Sequence, residues 1–324
     1  MRCLALAKAW QVRGGRVVFL VAEIIPDLTG RLQAEGVSWD RLDAAAGSPE
    51  DAALTLAFAR RLGADWVVVD GYRFFPEYIQ VLEGMGLRVL QFDDDARFER
   101  YLADVVLNPN RAATRQQYPE RGENTRLLLG SEYIMLRPEF LAEARFRDRS
   151  RVARRILITM GGSDTENVTR KVMQSLLHFG TESEIRVVAG AGNPNVGSLQ
   201  KSADDPSSNF RLELNPGNMA PLMSWADLAI SAAGGTCWEL AYLGVPMILI
   251  VLSIDQIPNA KALSQAGAAD DLGWHANLSS QQIGHKVQEL MDDVERRRVM
   301  SASGRRLVDG RGAERVVDFL LSHL

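Results

Sequence analysis

The chain has 324 residues, and at roughly 150 residues per domain that length suggests two domains. Hydrophobic residues make up 46% and charged residues 24%, a balance that excludes a disordered chain. The net charge of −4 lacks the basic excess of a general nucleic-acid binder. Two cysteines, Cys3 and Cys237, exclude a disulfide scaffold or a four-cysteine zinc site and suit a reducing cytoplasm. The longest apolar run, Val245–Leu252, is far short of the ~20 residues of a membrane helix. Arg2, Lys8 and Arg13 break up the apolar residues that a signal peptide would need at the start.

In chain order, Met1–Arg13 reads as a helix, with Leu4, Ala5, Lys8, Ala9 and Val12 on a 3.6-residue period. A strand is predicted at Val17–Ala22. A helix opens at Ser48-Pro49-Glu50-Asp51, where a cap residue precedes proline and acids. Strands follow at Trp66–Asp70, Arg88–Phe92 and Val105–Leu107. Ala142–Arg154 carries Arg145, Arg147, Arg149, Arg151 and Arg154 and reads as a linker, or as a solvated helix end. Beyond it come strands at Ile156–Thr159, Ile185–Ala189, Phe210–Leu214, Leu228–Ser231, Met247–Val251 and Ala268–Leu272. Helices are predicted after Glu166, Thr236, Pro258 and Ser279. Apolar strands alternating with helices indicate α/β domains with parallel sheets. The expected division is 1–145 and 152–324.

Ser231-Ala232-Ala233-Gly234-Gly235-Thr236-Cys237-Trp238-Glu239 joins a strand to a helix. Glycines permit close approach of a ligand, and free N–H groups at a helix start favour phosphate. Glu239, about one turn further on, is placed to accept ribose hydroxyls; the alternative is a tight turn with a surface glutamate. Met160-Gly161-Gly162-Ser163-Asp164 makes a second such turn. There Asp164 opposes a phosphate unless it points away as a helix cap. Ser253, Gln256 and Asn259 follow the strand Met247–Val251. Their uncharged groups suit sugar hydroxyls and acetamido groups, or simply a loop and cap.

Asp70-Gly71-Tyr72 and Asp93-Asp94-Asp95 end two strands of the first half. Acids there serve as general bases or hydroxyl anchors, and are also common loop formers. Adjacent acids diverge, which disfavours a metal site. His178, His275, His285 and His323 lie near no glycine turn and read as surface or helix-end residues. Cys237 reads as a packing residue, since it has no histidine partner.

These turns, in this order, resemble the UDP-sugar hydrolases of pseudaminic acid biosynthesis and the spore-coat polysaccharide glycosyltransferase-like proteins, and are similar to MurG-type glycosyltransferases. The motifs are MRCLALA at Met1–Ala7, VVVDGY at Val67–Tyr72, QFDDDA at Gln91–Ala96 and LNPN at Leu107–Asn110. They continue with LRPEF at Leu136–Phe140, ITMGGSD at Ile158–Asp164, the long Asn218–Pro246 segment and DQIPNA at Asp255–Ala260. The resemblance covers nearly the whole chain. It implies a GT-B fold of two Rossmann-like domains facing a cleft, in the cytoplasm, with no cofactor or metal and a monomer as the default.

The resemblance places UDP at Gly161, Gly162, Met219, Gly234, Gly235, Thr236 and Glu239. It places the sugar at Ser253, Gln256, Asn259 and Asp94, and the chemistry at Tyr72 and Asp70. The implied reaction is attack of water at the anomeric carbon of a UDP-2,4-diacetamido-2,4,6-trideoxy sugar, with neither nucleic acid nor membrane as partner. The alternatives are a MurG-like transferase and a non-catalytic UDP-sugar-binding protein. The family also begins with a strand and a glycine-rich, histidine-bearing turn ahead of the MRCLALA helix, and that histidine is the expected base. Here the sequence opens at Met1, so the first domain is expected to be N-terminally truncated.

Overall fold

The computed structural model describes residues 1–23, 26–143, 152–180, 182–190, 192–205 and 208–324. It divides into two compact units, Met1–Pro138 with Gly310–Leu324, and Glu139–Asp309. All strand pairs named below are parallel.

The first unit runs α1 (Arg2–Val12), β1 (Val18–Val21), α2 (Pro26–Ala34), β2 (Ser38–Arg41), α3 (Pro49–Leu62) and β3 (Trp66–Val69). It continues with α4 (Pro76–Glu83), β4 (Arg88–Phe92), β5 (Val105–Asn108) and β6 (Arg126–Leu129). Its strands form two sheets, β1-β2 and β3-β4-β5-β6. Helix α3 starts as its sequence requires: the Ser48 hydroxyl accepts from the Asp51 N–H, and Pro49 fills the first turn. Helix α1 packs on two sides. Leu4 joins Leu32 and Val37, while Leu6 joins Leu90, Phe92 and Leu107. The single stripe predicted for it therefore fails at its end, where Val12 is 83% exposed.

A single helical turn, α5 (Pro138–Leu141), precedes the second unit. Most of the arginine-rich segment predicted as a linker, residues 144–151, lies outside the described residues. The second unit runs β7 (Arg155–Thr159), α6 (Val168–Ser175), β8 (Glu184–Ala189), α7 (Val196–Ala203), β9 (Phe210–Leu214) and α8 (Ala220–Trp225). There follow β10 (Leu228–Ala232), α9 (Thr236–Leu243), β11 (Met247–Val251), α10 (Ile257–Gln265), β12 (Ala269–Trp274), α11 (Ser280–Asp292) and α12 (Val294–Leu307). The six strands are ordered β12-β11-β10-β7-β8-β9. Strands β10 and β11 are buried at every residue, as parallel strands covered on both faces must be. Buried Asp227 fixes the start of β10 by accepting from the Arg154 and Arg155 N–H groups.

The last helix, α13 (Gly312–Leu321), belongs to the first unit, so the division expected at 152–324 is corrected. Val316, Val317 and Leu320 complete the core made by Leu6, Leu90, Val105 and Leu128. Sequence reasoning predicted no helix here, and apolar residues in a sequence do not name the core that takes them.

Candidate functional site

In the second unit the chain runs outward from β7 through β8 to β9 on one side, and through β10, β11 and β12 on the other. The strand order reverses between β7 and β10. Open α/β sheets bind ligands at the carboxyl ends of the strands at such a switch point. The two glycine turns singled out in the sequence leave those two strands.

The turn after β10 is open. A Cβ on Gly235 would meet no atom within 4 Å, and one on Gly234 would meet only Gln256 Nε2, at 3.7 Å. Gly235 has ordinary helical angles, φ −56° and ψ −30°, so its value is the space it leaves rather than an unusual backbone. The amides of Cys237 and Trp238 turn back onto the Gly234 and Gly235 carbonyls. The Cys237 thiol is fully buried and donates to the Gly234 carbonyl; burial pushes it well above the usual thiol range. Cys237 therefore packs, as predicted, and helps to shape the turn. Glu239 lies half-buried in the first turn of α9.

Gln256 and Asn259 reach this turn from beyond β11. Gln256 Oε1 accepts from the Leu252 N–H at 3.0 Å, and Asn259 Nδ2 donates to the Ala233 carbonyl at 3.1 Å. One end of each amide thus braces the loop, and the Nε2 of Gln256 faces Gly234. Ser253, half-buried, precedes the short turn that carries Gln256. Met219 is half-buried at the head of α8.

The turn after β7 differs. Asp164 is 4% exposed and accepts from the Val168 and Thr169 N–H groups at 2.8 and 2.9 Å. It caps α6 and turns away from the open side, which settles the alternative left open by the sequence. The donors of that helix end are spent on Asp164, leaving the backbone of Gly161 and Gly162 as the open part of the turn. Gly161 has φ +85°, a left-handed conformation suited to glycine. The neighbouring loop presses close: a Cβ on Gly190 would stand 2.7 Å from Gly162.

In the first unit, the carboxyl ends of β3 and β4 carry a charged cluster. Arg2 donates from Nε and Nη2 to Asp70 at 3.0 and 2.7 Å, and from Nη1 and Nη2 to Asp94 at 2.6 and 3.0 Å. Its guanidinium also lies 4.6 Å over the Phe92 ring. The Cys3 thiol donates to Asp70 Oδ2 at 3.2 Å. Burial opposes ionisation of Asp70, but the hydrogen bond and charge of Arg2 outweigh it and hold the carboxyl below its usual range. Burial likewise works against the charge on Arg2, and the two carboxylates more than restore it. Both Asp70 oxygens are therefore occupied and its basicity is reduced, which runs against the general-base role considered from the sequence.

The three consecutive acids part company. Asp93 is buried and accepts from the Tyr101 and Tyr118 hydroxyls. Asp94 meets Arg2, and Asp95 meets Arg97 at 2.6 Å. Tyr72 is 55% exposed; its hydroxyl stands 3.5 Å from Asp94 Oδ2 and the Arg97 guanidinium lies 4.0 Å over its ring. Among the described residues no group of three or more His, Cys, Asp or Glu is placed to hold a metal ion. His178, His285 and His323 are exposed and His275 half-buried. Arg2 and Arg97 were missed as site residues. A cation in the first turn of a helix sits at the wrong end of the dipole, and that misplacement was the available sign that Arg2 is paired.

Residues 155–311 match the model of the glycosyltransferase family 28 C-terminal domain. The structure superimposes on Acinetobacter baumannii MurG with a TM-score of 0.70 over 99% of this chain and 95% of that one, at 19% identity. The fold is GT-B. An S. aureus MnaA–UDP co-structure shares it, with a TM-score of 0.70, 15% identity and 99% and 94% coverage. In sequence, the chain is 26% identical to the Bacillus subtilis spore coat polysaccharide biosynthesis protein SpsG, over 72% of this chain and 69% of that protein. It is 32% identical to the Gloeobacter violaceus UDP-N-acetylglucosamine–N-acetylmuramyl-(pentapeptide) pyrophosphoryl-undecaprenol N-acetylglucosamine transferase. That match spans 51% of this chain and about half, 47%, of the transferase. No helix among the described residues is long and apolar enough to cross a membrane.

Proposed function

We propose that this GT-B protein is an enzyme of surface-polysaccharide biosynthesis that releases UDP from a UDP-sugar. The observation that carries the reading is the open glycine turn before α9, at the switch point of the second sheet. Gly234, Gly235 and Thr236 present backbone donors to a diphosphate, joined by Gly161 and Gly162 from the turn after β7. Glu239 takes the ribose hydroxyls and Met219 lies against the uracil. Ser253, Gln256 and Asn259 face the sugar or the diphosphate. Donors aimed at the departing diphosphate stabilise the charge that develops there as the anomeric bond breaks.

In the first unit, Asp94 and Tyr72 serve the sugar, and Asp70 supports them through Arg2. The nucleophile of our leading reading is water: its oxygen bonds to the anomeric carbon as the bond to the diphosphate breaks, UDP leaving with the electron pair. Following the family resemblance, the sugar is a 2,4-diacetamido-2,4,6-trideoxy hexose of the pseudaminic acid type. The match to SpsG supports the part in polysaccharide biosynthesis, which both nucleophiles share. The match of the second half to the N-acetylglucosamine transferase favours a second reading, in which an acceptor hydroxyl replaces water. UDP release from candidate UDP-sugars in 18O-labelled water separates them. Label in the free sugar without added acceptor supports hydrolysis, whereas release only with an acceptor supports transfer.

Two substitutions test the residues. Glu239→Ala is expected to weaken UDP binding by about 1–3 kcal/mol, the scale of hydrogen bonds to a charged group. Calorimetric titration with UDP measures it, and unchanged affinity removes Glu239 from the site. Tyr72→Phe is expected to slow turnover by about tenfold or more, within the range of positioned polar groups, while UDP affinity stays near normal. Normal turnover in that variant discards a catalytic part for Tyr72.

A further inference from the structure

The cluster on the first unit is built as a chain of supports that starts on α1. Arg2 joins the ends of β3 and β4 through side chains of both: Asp70 directly follows β3, and Asp94 lies two residues past β4. Four N–H···O contacts of 2.6 to 3.0 Å come from a single planar guanidinium, a fork geometry that fixes direction as well as distance. Phe92 supports the flat face of that guanidinium. The chain then continues outward, from Asp94 Oδ2 to the hydroxyl of exposed Tyr72. Arg97, itself held by Asp95, covers the Tyr72 ring.

Each carboxylate has a different duty in this arrangement. Asp70 has both oxygens engaged, by Arg2 and Cys3, and faces inward. Asp94 shares its Oδ2 between Arg2 and Tyr72, and its backbone carbonyl is held by the Asn110 side chain. The side chains of Arg2, Asp70 and Asp94 are only about a quarter exposed, and the cost of desolvating their charges offsets much of what the pairing contributes to stability. The fork is better suited to holding atoms in place than to holding the fold together.

We infer that Arg2 is a positioning residue: anchored by Asp70, its guanidinium orients Asp94, and through Asp94 the Tyr72 hydroxyl, toward the sugar. This rests on the reading that the Tyr72–Asp94 cluster serves the sugar of a UDP-sugar. By this inference Arg2 does not touch the reacting atoms. Its effect is therefore on the rate at saturation rather than on nucleotide affinity.

The test uses the full chain and its UDP-sugar turnover, with Arg2→Gln, Arg2→Lys, Tyr72→Phe and the Arg2→Gln/Tyr72→Phe double variant. Arg2→Gln should lower kcat about tenfold with KM and UDP affinity within about twofold of the parent. Arg2→Lys keeps the charge but loses the fork, and should fall between them. In the Tyr72→Phe background, Arg2→Gln should add less than about threefold, because the two act along one chain of contacts. Thermal melts and hydrogen exchange at the β3 and β4 amides verify that the first unit remains folded in every variant, and UDP titration reports on the second.

The acid limb supplies a second readout. Asp70 and Asp94 face Arg2, Cys3, Tyr72 and, through Asp95, Arg97. Arg2 holds the Asp70 carboxyl below its usual range, so without the guanidinium the limb that Asp70 sets should move to higher pH. Parent-like kcat and pH profile in Arg2→Gln overturn the inference while leaving the function standing, as do fully additive losses. Absence of UDP release by the parent from every UDP-sugar overturns the function and the inference together.

Discussion

Gly235→Asp is expected to leave the protein folded and to weaken UDP binding by a hundredfold or more. Gly235 sits at the N-cap of α9 in ordinary right-handed geometry, and a Cβ there meets no neighbour. A side chain adopts that right-handed backbone without strain and loses less chain freedom on folding than glycine, so thermal stability should hold. The same carboxylate would occupy the space offered to the diphosphate. Two unit charges 4 Å apart repel by about 4 kcal/mol at the effective dielectric of a protein surface, which is close to three orders of magnitude in affinity. The added carboxylate would also satisfy N–H groups otherwise available to the anion. Calorimetric titration beside a thermal melt decides it. Parent-like UDP affinity in a folded variant would show that the diphosphate does not lie at this helix end, and the site would have to move to the Gly161-Gly162 turn.

What the sequence made legible follows from how each element is buried. Apolar, β-branched runs such as Met247–Val251 could only be strands covered on both faces, and the structure buries all of that strand. The capping signal at Ser48 located α3 closely, and the helix predicted after Ser279 is α11, which the structure shows capped by Ser279 and Gln282. Strands β2 and β6 were missed. Ser38–Arg41 is mostly polar and exposed, and Arg126–Leu129 at the sheet edge offers only three leucines, a short run without the β-branched residues that mark a strand. The two-sided packing of α1 and the placement of α13 depend on partners remote in sequence, which a hydrophobic period does not name.

The candidate sites show the same boundary. The glycine turns and Glu239 were visible as local strand–turn–helix patterns, and the sheet order then gave them their switch-point setting. The acids after β3 and β4 were visible as residues, but not their duties. Composition cannot say that, of three consecutive aspartates, one turns into the core, one meets Arg2 and one meets Arg97. Those duties are set by the alternation of a chain leaving a strand and by which partners stand on each side.

The inward member of that triplet gives the second large effect. Asp93→Ala should destabilise the first unit by about 3 kcal/mol, since it strands buried polar groups rather than removing a surface contact. Asp93 Oδ2 accepts from the Tyr118 hydroxyl at 2.6 Å, the Tyr101 hydroxyl at 3.1 Å and the Ala96 N–H at 3.0 Å. Tyr101 and Tyr118 are fully buried, and burial together with the adjacent carboxylate pushes both phenols above their usual range, so they remain donors at any physiological pH. Tyr118 keeps a second partner in Asn108, whereas Ala96, at φ +52°, depends on Asp93 for its turn.

The loss should lower the melting temperature of the first unit by roughly 6–12 °C, at 2–4 °C per kcal/mol for a domain of this size. Hydrogen exchange at β4 and β5 amides localises it, and UDP affinity, which we propose belongs to the second unit, should be retained. Asn at position 93 keeps an acceptor oxygen but not the charge, and should recover part of the stability. A variant that melts like the parent yet loses turnover would assign Asp93 to the chemistry beside Asp94, and the division of duties along the triplet would have to be redrawn.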